Sequence, residues 1–88
     1  MKKHLDAAED AFSNALQDAI PTLTADEAKT IAIEHADLIG KQVSRLRAEY
    51  DLDDGIPQYN VEFHYDGFEY NYEIHAQTGQ ILSFEKER

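Results

Sequence analysis

The sequence predicts an α+β domain: a helix packed on one face of a three- to four-stranded antiparallel sheet, with an additional N-terminal helix. Three observations carry this expectation. Residues 59–74, Y-N-V-E-F-H-Y-D-G-F-E-Y-N-Y-E-I, alternate apolar and polar around a central Asp66-Gly67 pair. Residues 24–40 combine a helix-start signal, a helical apolar period and a glycine. Helical patterns come first and strand patterns after, the order of a sheet with its helices segregated to one side.

Taken in order, Leu5, Ala8, Phe12, Ala15, Leu16, Ala19 and Ile20 recur at helical spacing and predict a first, thinly apolar helix that Pro21 ends. Thr24 is expected to cap a second helix, with Glu27 completing a capping box. Its buried face reads Ala28, Ile31, Ala32, His35, Ala36 and Ile39, and Gly40 is expected at C′, giving a helix of about 15 residues. On that face His35 is expected as a partly buried, hydrogen-bonded structural residue. Val43 to Tyr50 predicts a strand with Leu46, Ala48 and Tyr50 on one side and Arg45, Arg47 and Glu49 on the other. Asp51 to Pro57 reads as a loop, because Pro57 lacks the donor that a central ladder uses, so the next strand is expected to begin at Gln58.

The hairpin follows. A type I′ turn at Asp66-Gly67 sets Tyr65 opposite Phe68, Phe63 opposite Tyr70, Val61 opposite Tyr72 and Tyr59 opposite Ile74. These rings and branched side chains read as core, with the Tyr70 and Tyr72 hydroxyls at its rim. His75 to Gln80 predicts a short reversal ending in a left-handed Gly79, and Ile81 to Phe84 a last strand that either has two covered faces or carries a bulge.

Composition narrows the function. Eighteen acidic against eight basic residues among 88 give a net charge of −10, which disfavours nucleic acid or an anionic membrane surface as partner. No stretch approaches the roughly 20 apolar residues that cross a bilayer, so no membrane insertion is expected, and this segment has no signal-peptide pattern. Without cysteine there is no thiolate catalysis and no cysteine-ligated metal. No glycine-rich phosphate loop or nucleophile-elbow motif occurs, and no enzyme activity is expected. Asp51, Asp53, Asp54 and Gly55 only superficially resemble the opening of a calcium loop and read as a solvated turn.

The polar face of the hairpin is the candidate binding surface: Asn60, Glu62 and His64 opposite Glu73, Asn71 and Glu69, with His75 continuing the face. Neither a cofactor nor a metal is expected. Glu62 and His64 lie some 6.5 Å apart along an extended strand, and no short-spaced ligand set is present. A ligand- or metal-sensing role for His64, Glu69 and His75 is the weakest alternative.

The runs L-T-A-D-E-A-K-T-I-A-I-E-H-A (Leu23 to Ala36), D-L-D-D-G-I-P-Q-Y-N-V-E-F (Asp51 to Phe63) and D-G-F-E-Y-N-Y-E-I-H-A-Q-T-G-Q-I-L (Asp66 to Leu82) resemble the PepSY domain. That module is found in the propeptides of thermolysin-type metallopeptidases and in many bacterial envelope proteins. The resemblance implies that residues 23–88 form the module and residues 1–22 an added helix and linker. It also implies a non-catalytic, extracytoplasmic protein-binding module that regulates or inhibits a peptidase or another envelope protein. The alternative is a structural unit that packs on a neighbouring copy. The chief departure is His75, where the family usually carries aspartate; a neutral histidine accepts through one nitrogen only.

Overall fold

The computed structural model describes residues 21–88. The expected N-terminal helix lies outside the described residues. One helix, α1 (Ala25–His35), precedes four strands, β1 (Ser44–Asp53), β2 (Ile56–Tyr65), β3 (Phe68–His75) and β4 (Ile81–Glu87). They form an antiparallel meander in the order β1-β2-β3-β4, with α1 on one face.

The start of α1 follows from its sequence. Thr24 Oγ1 accepts the Glu27 N–H at 3.1 Å and Glu27 Oε1 accepts the Thr24 N–H at 2.8 Å, so both halves of the capping box are made. The end does not lie at Gly40. Asp37 takes the left-handed C′ position at φ 62°, its N–H donating to Glu34 O and that of Leu38 to Ile33 O, each at 3.0 Å. This Schellman closure works because a short polar side chain tolerates the left-handed region, and it swings Leu38 into the core. The helix therefore spans 11 residues, and Ile39, expected on its buried face, is 63% exposed. His35 is exposed as a residue, although its Nδ1 reaches the Tyr72 hydroxyl at 2.9 Å as a structural histidine would.

The Asp66-Gly67 hairpin has the expected register at every pair, with φ of 55° and 81° in its turn. Phe63 and Ile74 are fully buried and Val61 nearly so, worth about 1.5–3 kcal/mol for each such side chain. Phe63 stacks on Tyr70 at 4.8 Å between centroids and on Tyr72 at 6.1 Å. Ala28 and Ala32, both fully buried, let the helix lie close over these rings.

The expected loop from Asp51 to Pro57 is instead a second two-residue hairpin. Asp54 and Gly55, at φ 53° and 78°, turn between Asp53 and Ile56, so β1 runs on to Asp53 and β2 begins before Pro57. Proline is tolerated there for a tertiary reason. Pro57 O accepts the Ala76 N–H at 2.8 Å, and in an ordinary ladder the returning bond would run from residue 57 to Ala76 O. That carbonyl accepts the N–H groups of Thr22 and Leu23 at 2.9 and 2.8 Å instead. Pro57 thus leaves an acceptor that ties the lead-in of α1 to the sheet.

Two bulges set the outer strands. Between Ser44 and Arg47 the register shifts, with Arg45 at φ 54°, which breaks the alternation expected for Arg45 and Leu46. In β4 the shift makes Leu82 the extra residue, so Ile81 faces Ile74 and Phe84 faces Tyr72 on the helix side. Phe84 stacks on Tyr72 at 4.7 Å. β4 continues past its expected end at Phe84 to Glu87, its end anchored by Lys86 Nζ and the Arg88 guanidinium at 4.4 and 4.5 Å from the Phe68 ring centre.

Candidate functional site

Because side chains alternate along a strand, the core residues of β2 and β3 force their neighbours onto the face that α1 does not cover. There Asn60 pairs with Glu73, Glu62 with Asn71, His64 with Glu69 and Gln58 with His75, so all seven expected residues share that face. Glu73 is exposed and the other six are half-buried, because neighbouring strands shield them. β1 adds Arg47 and Glu49, and β4 adds Ser83 and Glu85.

The middle of the face is a shallow trough of about 260 Å³ walled by Arg47, Glu49, Asn60, Glu62, Asn71, Glu73, Ser83 and Glu85. Four carboxylates and one guanidinium give it an acidic character. Arg47 sits opposite Glu62 and donates to its Oε1 through Nη2 at 2.8 Å and Nε at 3.2 Å, while Nη1 lies 3.8 Å from Glu49. The Arg47 hydrogen bond is the main reason the Glu62 carboxyl is held below the usual carboxylate range; partial desolvation opposes it. Arg47 is in turn raised by Glu62, through the same hydrogen bond first and then its charge.

Towards the Asp66-Gly67 turn, Glu62 Oε2 lies 3.5 Å from His64 Nε2. Asn71 Nδ2 donates to Glu69 Oε2 at 3.1 Å. Glu62, His64 and Glu69 each place one nitrogen or oxygen within 4.8 Å of the others'. At the opposite end, Gln58 Nε2 donates to Asn60 Oδ1 at 3.0 Å. His75 stands apart from His64 and Glu69: its Nδ1 accepts the Gln77 N–H at 3.1 Å, doing in the turn what an aspartate oxygen would do.

Gln58, only 4% exposed, and the flanking Arg47, Glu49, Ser83 and Glu85 were not among the expected site residues. The alternation in 46–50 placed Arg47 and Glu49 opposite the apolar side chains, and only the pairing of β1 with β2 was missing. Chemically, the face offers carboxylates and amides on rigid strands in an open concavity, and no histidine lines the trough beside Ser83. No helix among the described residues is long and apolar enough to cross a membrane.

The family model described as PepSY, peptidase propeptide and YPEB domain, matches residues 22–85. Domains of that family are non-catalytic, propeptide-like modules that bind protein partners, peptidases among them, and occur extracytoplasmically in bacterial envelope proteins. No curated protein and no solved structure matches the chain significantly.

Proposed function

The chain belongs to the PepSY family, and from that premise we propose that residues 23–88 are a module that binds and restrains a peptidase or another envelope protein outside the cytoplasm. Its contact surface is the open sheet face with Asn60, Glu62, His64, Glu69, Asn71, Glu73 and His75. The observation that carries this reading is the acidic trough: Glu49, Glu62, Glu73 and Glu85 stand on four hydrogen-bonded strands beside a single Arg47. The strands fix the backbone positions of these groups and Arg47 also holds the Glu62 side chain, which limits the ordering lost on contact. The complementary partner presents a basic protrusion, and its association slows as salt screens the attraction.

The test is inhibition and direct binding against a thermolysin-type metallopeptidase and any peptidase encoded beside this chain. Inhibition at micromolar concentration is expected, weakened by Glu73→Lys with Glu85→Lys and by added salt. If no peptidase or envelope partner binds at that concentration, or if the reversed charges change nothing in a folded variant, the reading fails.

One observation favours a second reading, an assembly module that packs against another copy. An 11-residue helix is about 16 Å long, whereas the ten residues of β1 span about 33 Å. Tyr50 and Leu52 are left 41% and 49% exposed on the helix side of the sheet. A monomeric mass by light scattering, for the intact chain and for one lacking residues 1–20, removes this alternative.

A further inference from the structure

We propose that Glu62, His64 and Glu69 form a surface site for a divalent transition-metal ion of the zinc class. Such a site would exist whether or not the chain restrains a peptidase. Adjacent strands bring the three together: Glu62 and His64 are two apart on one face of β2, and Glu69 is the direct cross-strand partner of His64. Their ligand-capable atoms already lie within 4.8 Å of one another. Around a tetrahedral zinc with bonds of about 2.0–2.1 Å, ligand atoms stand roughly 3.4 Å apart. Closure therefore asks for a contraction of at most about 1.4 Å, within reach of two glutamate side chains on fixed strands.

The surrounding groups are arranged as outer-sphere partners are. Arg47 holds Glu62 Oε1 and leaves Oε2 beside His64 Nε2. Asn71 holds Glu69 Oε2 and leaves Oε1 unclaimed by it. Each carboxylate thus has one oxygen held by a neighbour, and for Glu62 the other lies beside His64, which lowers the ordering cost of ligation. Three protein ligands leave a coordination position open to water or to a partner's side chain. One imidazole with two carboxylates suits zinc, nickel or copper; calcium and magnesium, which want six or more oxygens, are poorly served. The negative field of the chain, with Glu87 directly across from Glu69, raises the local concentration of cations.

The test uses the full chain stripped with chelator and titrated with zinc sulfate at neutral pH by calorimetry. One ion per chain is expected, with a magnesium titration silent over the same range. His64→Gln and Glu69→Gln each weaken binding at least about tenfold, the scale on which even outer-sphere losses act, while circular dichroism remains that of the parent. Heteronuclear NMR on the unaltered chain supplies a reading that needs no variant: zinc moves the ring resonances of His64 and leaves those of His35 and His75 in place. No binding up to millimolar zinc overturns the proposal, as does unchanged affinity in His64→Gln or a zinc response at another histidine.

Discussion

Replacing Tyr72 by phenylalanine separates two contributions of one buried hydroxyl. The residue is 2% exposed, its ring stacks on Phe84, and its hydroxyl shares a 2.9 Å hydrogen bond with His35 Nδ1. At pH 8 the variant keeps the packing and loses the hydrogen bond, a cost of about 1 kcal/mol and a fall of about 4–8 °C in Tm. At alkaline pH a second effect appears. Burial, with a smaller contribution from Tyr70, pushes the hydroxyl from 10.0 up to about 12. A folded-state value above the unfolded one means stability fully present below pH 10.0 and lost as pH rises towards about 12. The parent then loses about 1 kcal/mol per pH unit in that window, and the phenylalanine variant, with nothing to ionise, does not. The two stabilities should converge close to about pH 11. Urea unfolding followed by circular dichroism, at matched ionic strength from pH 8 to 11 for both proteins, reads the difference directly; titrating groups that do not interact with Tyr72 cancel. A difference that stays constant across the series refutes the buried-hydroxyl account, and a variant more stable than the parent at pH 8 refutes the hydrogen bond.

Gly55→Ala and Gly79→Ala both place a β-carbon at positive φ, 78° and 80°, at a cost of about 1 kcal/mol. Only at Gly79 does that carbon meet packed atoms, Ile31 Cδ1 at 3.2 Å and Leu23 Cδ1 at 3.5 Å, so its stability from thermal unfolding should fall by about 1 kcal/mol more; equal losses would show that the Ile31 side chain yields and that the contact carries no penalty. His75→Ala removes the acceptor of the Gln77 N–H and should lose about 0.5–1.5 kcal/mol. His75→Asp, which restores a carboxylate acceptor, should hold the parent's denaturation midpoint, and matching losses in the two variants would remove the turn role given to Nδ1.

What could be read from sequence was local. T-x-x-E at Thr24 names two hydrogen bonds within four residues, and both form. Asp66-Gly67 fixes its own hairpin and, through strict alternation, its register. Asp54-Gly55 carries the same signal, yet Pro57 argues locally against a strand. What admits the proline is an acceptor on Ala76 used by Thr22 and Leu23, residues distant in sequence. The end of α1 was misplaced for a related reason. Gly40 is the better left-handed residue in isolation, but closing at Asp37 brings Leu38 into the core, and that burial outweighs the intrinsic preference. In β4 the apolar pattern was compatible with a bulge without locating it; the contact of Phe84 with Tyr72 does so.

The site was legible as a face and illegible as a constellation, and the missing Asp54-Gly55 turn accounts for much of the difference. A two-residue hairpin admits a single register. Each step from Asp53 opposite Ile56 moves one residue down β1 and one up β2, which brings Arg47 opposite Glu62. With β2 interior to the sheet, Glu62 then has Arg47 on one side, Asn71 on the other and Asn60 and His64 along its own strand. A residue so surrounded is where lateral contacts concentrate, and Glu62 is accordingly the member shared by the trough and the His64–Glu69 cluster. Glu62 and His64 stand about 6.5 Å apart along the extended strand, yet long side chains on a sheet meet at their tips, and Glu62 Oε2 comes within 3.5 Å of His64 Nε2. Spacing along a strand therefore bounds where the backbone goes, and the neighbouring strands decide which polar ends converge.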